Sequence, residues 1–321
     1  MPYSRVLILG GSGFIGGHLA ADLVARGKRV IVPTRNPMRA RRLLALPTVE
    51  LVEADIHRDE VLARLVAASD AVVNLVGILH DRPGKPWGPG FEAAHVRLPA
   101  RVVDACKAAG VQRLMHMSAL GVSENGQDSA PSMYLRSKAA GERAVRDSGL
   151  GCWTIVRPSV VFGPDDKFLN LFAKLQRWLP VMALGRADAQ FQPVYVGDVA
   201  RAYANALDAP ASCGRCYELA GPTVYTLREL VETAGRLAGV RRPVIGLPDG
   251  LGRLQARMLE LMPGPTLMSR DNFDSMSIPN VASGPIAPEL GVRPTGIAAL
   301  APRWIGERNA VFGERRMRAG R

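Results

Sequence analysis

Lysine is scarce in this sequence: of 41 basic residues only six are Lys, and the other 35 are Arg. Cysteine is scarce as well, with four in 321 residues, and aromatic residues make up only 6%. No apolar run approaches the roughly 18 residues that a membrane span needs, so no transmembrane segment is expected. The apolar start at Ser4–Leu9 runs into glycines rather than a cleavage site, and no targeting signal is read there. Four cysteines are too few for a disulfide framework in a chain of this size, so they read as structural thiols in a reducing cytoplasm. Cys213-Gly-Arg-Cys216 has C-x-x-C spacing, but no second pair completes a zinc site. His18, His57, His80, His95 and His116 are scattered, so no metal centre is expected. Acidic residues number 29, which leaves a net charge of +12. An Arg excess this large reflects genome composition more than a nucleic-acid partner, and none is expected. What is present is ordinary globular material, 47% apolar and 22% charged, enough to bury a full core.

The first half alternates short β-branched runs with helical patterns. Strands are expected at Arg5–Leu9, Val30–Val32, Val49–Val52, Ala71–Val76, Gln112–Met117 and Cys152–Val156. Helices are expected around Gly13–Arg26, Met38–Leu46, Asp59–Ala68, Phe91–Ala109 and Ser132–Ser148. Strands alternating with helices predict an α/β chain with a doubly wound parallel sheet of the Rossmann type. The expected division is a dinucleotide-binding domain over 1–160, with a strand and helix added from about 190–220. A smaller α/β substrate or interaction region follows over 161–321 and ends in a basic tail. Arg253–Leu261 has helical spacing and reads as an interaction helix.

Gly10-Gly11-Ser12-Gly13-Phe14-Ile15-Gly16 stands between the first strand and the first helix. Gly10 permits a tight turn, Gly13 lets backbone approach a pyrophosphate, and Gly16 lets helix and strand pack closely. The pyrophosphate would face the backbone N–H groups and the positive end of the helix. Gly10, Ser12, Gly13, Phe14, Ile15 and Gly16 are therefore candidate cofactor contacts. The second strand ends Val32-Pro33-Thr34-Arg35-Asn36 with no acid nearby, so Arg35, with Arg39 as a second contact, suits a 2′-phosphate. From Arg26 to Arg42 there are seven basic residues and no acidic one, which also suits a phosphorylated ligand. NADP(H) is the expected cofactor and NAD(H) the alternative.

Tyr134-Leu-Arg-Ser-Lys138 puts a phenol and an ammonium four residues apart on one helix face. A nearby ammonium favours phenolate, so Tyr134 could exchange a proton with a substrate oxygen. Lys138 could also hold the ribose.

Gly10–Gly16, Asp55-Ile56, Asn74-Leu75-Val76-Gly77, Tyr134–Lys138 and Arg157-Pro-Ser-Val-Val-Phe-Gly163 occur in the order of the extended and atypical short-chain dehydrogenase/reductases, which this chain resembles from Arg5 to about Ala220. Tyr134–Glu142, Phe168–Phe172 and Gln192–Val199 are similar to the branch of the NADPH-binding accessory subunit of mitochondrial NADH:ubiquinone oxidoreductase (complex I) and its bacterial relatives. The resemblance implies that Asp55 and Ile56 border the adenine and that Asn74, Leu75, Val76 and Gly77 line the cofactor's middle. It also implies that Pro158 approaches the nicotinamide and that Tyr134 and Lys138 are catalytic. The family's third catalytic residue, a Ser or Thr after the fifth strand, falls here at Ala119, with Ser118 preceding it as a substitute.

Three functions follow from that resemblance. One is a reductase of a quinone-related or other carbonyl substrate. Another is a non-catalytic subunit holding structural NADPH in a respiratory or quinone-pathway assembly. The third is an NAD-dependent sugar-nucleotide epimerase or dehydratase, against which Ala119 counts. The substrate is not readable. The branch, the Met/Leu-rich stretch Leu251–Met268 and the basic stretch Ala301–Arg321 also imply a membrane-associated complex, with the protein cytoplasmic and peripheral on the inner face.

Overall fold

The computed structural model describes residues 3–123, 130–264 and 266–305, apart from the Arg39 side chain. The basic tail and the Arg39 contact expected from sequence lie outside the described residues. The chain opens β1 (Arg5–Leu9), α1 (Phe14–Ala25), β2 (Arg29–Thr34), a 3-10 run over Pro37–Ala45, β3 (Val49–Glu53), α2 (Asp59–Ala67) and β4 (Ala71–Asn74). A short turn, α3 (Pro89–Phe91), runs into a π-helical segment over Glu92–Arg97. After it come α4 (Leu98–Ala109), β5 (Arg113–Met117), α5 (Met133–Arg146) and β6 (Cys152–Pro158). Shorter elements follow: β7 (Val161–Phe162), α6 (Leu169–Trp178), β8 (Met182–Gly185), β9 (Gln190–Phe191), β10 (Val194–Tyr195) and α7 (Val196–Asp208). Then come β11 (Arg215–Leu219), β12 (Tyr225–Thr226), α8 (Leu227–Leu237), β13 (Val244–Leu247), α9 (Asp249–Leu261) and α10 (Arg270–Ser275).

Two units result. The first holds Met1–Pro158, Val196–Leu219 and Ser283–Arg293. Its sheet has seven strands in the order β11-β6-β5-β4-β1-β2-β3, all parallel. Strands of such a sheet are covered on both faces and are therefore apolar throughout. Val6, Leu7, Ile8 and Leu9 are all fully buried. Leu7 and Leu9 point into a cluster with Val72, Leu114 and Ile155 under α2 and α4. β4 stops at Asn74, earlier than the apolar run suggests, because the Asn74 side chain takes the Val76 N–H at 3.1 Å. The basic segment after β2 winds as a 3-10 run rather than an α-helix.

Arg113 on β5 is fully buried. Its guanidinium donates to the Ala206 and Leu207 carbonyls of α7's last turn, at 2.7 and 3.3 Å, and to Thr154 Oγ1 and Ser212 Oγ at 2.8 and 2.9 Å. A cation at a helix C-terminus meets the negative end of the dipole, and neutral acceptors surround the planar fork. β6 and β11 pair in a register that sets Arg215 opposite Thr154. Two residues earlier, Cys213 faces Cys152, and the two form a disulfide. This corrects the expectation of structural thiols without a disulfide in a reducing cytoplasm. The C-x-x-C spacing suggested no partner outside Cys213–Cys216, and the true one came from the neighbouring strand. Cys106 and Cys216 remain free thiols.

The second unit holds Ser159–Tyr195, Ala220–Ala282 and Pro294–Arg321. Its core joins α6, α8 and β8 through Leu169, Ala173, Leu230, Val231 and Met182. Thr226 caps α8, with Glu229 returning the bond to the Thr226 N–H in a capping box. β8 pairs in parallel with β13.

Candidate active site

The glycine turn lies between β1 and α1. Gly10 has φ +81°, a region that favours glycine. A Cβ on it would stand 3.1–3.3 Å from the Leu75 and Val76 backbone. On Gly16 a Cβ would lie 2.5 Å from the Gly10 carbonyl oxygen and the Gly11 Cα, so only glycine lets α1 start this close to the strand. The N-cap is Gly13, which supplies no side-chain cap, and the first turn of α1 carries no acid. A bare, positive helix end of this kind suits a pyrophosphate. The turn therefore fits a dinucleotide, with Ser12, Phe14 and Ile15 on its rim.

Arg42 is visible in the sequence only as the last member of the basic run, not as a contact of the glycine turn. Its Nη2 donates to the Gly13 carbonyl at 2.8 Å, and its guanidinium lies against Gly17. The 3-10 run after β2 brings it back onto the start of α1, and nothing in a linear spacing rule marks that return. Arg35 is exposed on the segment leaving β2. Asp55 is half-buried after β3 and accepts the His57 N–H at 3.1 Å, while Ile56 packs on the core cluster. Neither is bonded to the glycine turn. Pro158 is buried at the end of β6, where its carbonyl accepts the Leu120 N–H.

Asn74, Leu75, Val76, Gly77, Tyr134 and Lys138 gather at the carboxyl ends of β4 and β5, where an open α/β sheet holds its ligands. Leu75 continues the ladder through its N–H to the Leu9 carbonyl. Lys138 is buried, and its Nζ donates to the Met117 carbonyl at 3.1 Å. That Nζ would also touch a Cβ placed on Gly77, at 3.1 Å. Burial pulls Lys138 down to about 8, with Glu142 one helical turn away opposing the shift. Tyr134 packs edge-on against Phe91 and His95, with ring centroids 6.1 and 5.5 Å apart. Phe91, at the start of the segment before α4, is fully buried against Tyr134.

Burial pushes Tyr134 up to about 12. This corrects the expectation that the neighbouring ammonium lowers it: burial sets the shift, because the loss of water disfavours the phenolate. A phenol in that range stays protonated at neutral pH. It can donate a proton to a developing oxyanion, but it does not act as a base there.

Two histidines complete the floor. The Ile78 N–H donates to His95 Nε2 at 3.0 Å, so the His95 proton sits on Nδ1 and goes to Ser137 Oγ at 2.8 Å. Ser137 Oγ donates onward to the Tyr134 carbonyl at 2.8 Å. Burial lowers His95 to about 2 and His116 to about 3, and the Lys138 ammonium adds to both shifts. Both rings are neutral at physiological pH. Asn74 accepts from the Val76 N–H, so its amide NH₂ faces His116 Nδ1 at 3.3 Å. The His116 proton is therefore on Nε2. His116 Nε2 and Ser118 Oγ are buried without a hydrogen-bond partner among the described residues. Ala119 stands next to Ser118. No sequence motif marked His95 or His116, because a lone His on a helix or strand is ordinarily a core residue. Among the described residues no group of His, Cys, Asp or Glu is placed to hold a metal.

Residues 6–220 match the NAD dependent epimerase/dehydratase family. The chain is 33% identical over 297 residues to NADH dehydrogenase (ubiquinone) 1 alpha subcomplex subunit 9, mitochondrial, of Rattus norvegicus, covering 90% of this chain and 76% of that protein. To the 2-alkyl-3-oxoalkanoate reductase of Stenotrophomonas maltophilia it is 26% identical, over 74% of this chain and 76% of the reductase. A dTDP-glucose 4,6-dehydratase from Streptomyces venezuelae, solved with NAD bound, shares the fold at a TM-score of 0.71 and 23% identity, covering 94% of this chain and 95% of that one.

Proposed function

The chain belongs to the NAD dependent epimerase/dehydratase family, and from that premise we propose that it holds NADPH as a retained group within a respiratory assembly peripheral to the inner face of the membrane. The carrying observation is at the end of β5. The position the family gives to a catalytic hydroxyl is Ala119, while Lys138 keeps the place of a ribose-holding ammonium beside Gly77. Bound there, the nicotinamide would supply hydride. Gly10, Gly13 and Gly16 would seat the pyrophosphate, Asn74 to Gly77 the middle of the cofactor, and Pro158 the nicotinamide end. Arg35 and Arg42, with no carboxylate at the end of β2, support a 2′-phosphate and hence NADPH over NADH. The assembly part of the reading is supported by the likeness to the rat subunit.

A second reading, a reductase of a quinone-related or other carbonyl substrate, is favoured by the buried, unpartnered Ser118 hydroxyl and by the likeness to the bacterial reductase. One set of measurements separates the two. Protein as purified should carry NADPH, and on stripped protein NADPH should bind roughly tenfold to a hundredfold tighter than NADH, a margin lost in Arg35→Ala. Equal affinities would refute the preference. Under the retained-group reading, quinones and carbonyl compounds should not oxidise the bound NADPH. Oxidation that Tyr134→Phe slows by roughly 10²–10⁴-fold while NADPH still binds would establish the reductase instead.

A further inference from the structure

Helix α9 is amphipathic the wrong way round. Gly252 and Ala256, one turn apart, are its buried residues. Gly252 packs on Gly185 and the Phe273 ring, and Gln255 bonds the Ala183 carbonyl at 2.8 Å. Small residues thus hold the helix close to β8. Its large apolar residues Leu251, Leu254, Met258 and Leu261 recur at helical spacing on another face, and each is between 52% and 78% exposed. Ile245, beside Ala183 in the ladder that α9 packs on, is 52% exposed, and Trp178 at the end of α6 is 81% exposed. A folded chain that only needed α9 for its own core would turn these side chains inward.

The charges around the helix are mostly basic, and Arg253 on α9 is paired with Asp274 of α10. Between Arg236 and Arg270 there are six arginines and two carboxylates. Both carboxylates are occupied, Asp249 by Arg186 and Glu260 by Arg270. Arg241 and Arg257 are exposed. Arg257 lies on α9 next to the apolar face, one residue before Met258.

We propose that this face of α9 docks on an anionic lipid surface, with Leu251, Leu254, Met258 and Leu261 entering the headgroup–acyl boundary and Arg241 and Arg257 meeting lipid phosphates. An apolar stripe flanked by arginines is the form of a helix that lies in the membrane interface. A second copy of the chain suits the face less, since a two-fold interface sets each patch against itself and would bring the basic border against its own image. Among the described residues no helix is long and apolar enough to cross a membrane, which fits a helix lying in the interface. The inference deepens the peripheral-membrane part of the proposed function and does not depend on how NADPH is used.

The test is flotation of the full-length protein with phosphatidylcholine vesicles, with and without phosphatidylglycerol, at low and high salt. The wild type should float with the anionic vesicles and less so at high salt. Leu254→Ser combined with Met258→Ser should lower partitioning by at least about tenfold, and Arg241→Gln and Arg257→Gln by about fivefold each. These positions are exposed, so NADPH affinity should be unchanged in every variant. No flotation of the wild type at low salt would overturn the proposal, as would flotation that the Leu254/Met258 variant leaves intact. A wild-type dimer that the same variant converts to monomer would also overturn it and assign the face to a second copy. A wild type that floats as expected but does not bind NADPH would count against the nucleotide reading alone.

Discussion

Glu142 on α5 and Arg157 on β6 form a two-point ion pair, with Nε–Oε1 at 2.8 Å and Nη2–Oε2 at 2.6 Å, and both side chains are nearly sealed from water. The pair fastens the helix that carries Tyr134 and Lys138 to the strand that ends at Pro158. Arg146 adds a longer contact to the same carboxylate at 3.3 Å. Removing one partner of a buried pair strands the other charge, which costs more than the intact pair contributes. Arg157→Met should therefore lower stability by about 3–5 kcal/mol and Tm by roughly 10 °C. Glu142→Gln combined with Arg157→Met should recover part of that loss. Thermal unfolding of the three variants checks it, and a single variant as stable as wild type would refute it.

The parallel sheet was legible because its strands are apolar on both faces and its helices carry a 3.6-residue period, so β1 at Arg5–Leu9 and α2 from Asp59 fall where the pattern put them. The glycine turn was legible because Gly10 and Gly16 answer to backbone constraints that act within one loop. Contacts across the fold were not. Arg42 reaches Gly13 only because the intervening segment winds as a 3-10 run, and Cys152 meets Cys213 only through the register of β6 with β11. Tyr134 was misjudged in its acidity because spacing along a helix reports a neighbouring ammonium but not how much water the site loses. The outward face of α9 was visible as spacing at Arg253–Leu261, but which side faced the core depended on Gly252 and Ala256 fitting against β8.

The disulfide closes a span of 61 residues that includes the Ser159–Tyr195 segment of the second unit and α7. By the loop-entropy argument a closure of that length contributes roughly 4 kcal/mol by restricting the unfolded chain. The bond also borders the buried Arg113 guanidinium, which lies 3.4 Å from Cys152 Sγ. Reduction should lower Tm, and Cys152→Ser with Cys213→Ser should do the same without reductant. Thiol counting in denaturant should give two free thiols before reduction and four after it. Four before reduction would show that the pair does not form.

Lys138 makes nucleotide affinity depend on pH. Its folded value is about 8, against about 10.5 for an ordinary lysine, because burial removes the water that would solvate the ammonium. Below pH 8 the ammonium is present and can bond the ribose hydroxyls. As pH rises through 8 it is lost, so NADPH affinity should fall, by at most about tenfold per pH unit. Glu142 holds the value up, so Glu142→Gln should move the fall to lower pH, and Lys138→Met should bind weakly with no fall at all. Stability runs the other way. Between about 8 and 10.5 the unfolded chain keeps a proton that the folded chain has released, so this group makes stability rise with pH across that window, by on the order of 3 kcal/mol in all. Lys138→Met should remove that rise in urea titrations. NADPH titrations from about pH 7 to about pH 9.5 on wild type and both variants decide the matter. A flat wild-type profile would mean that the ammonium does not hold the nucleotide.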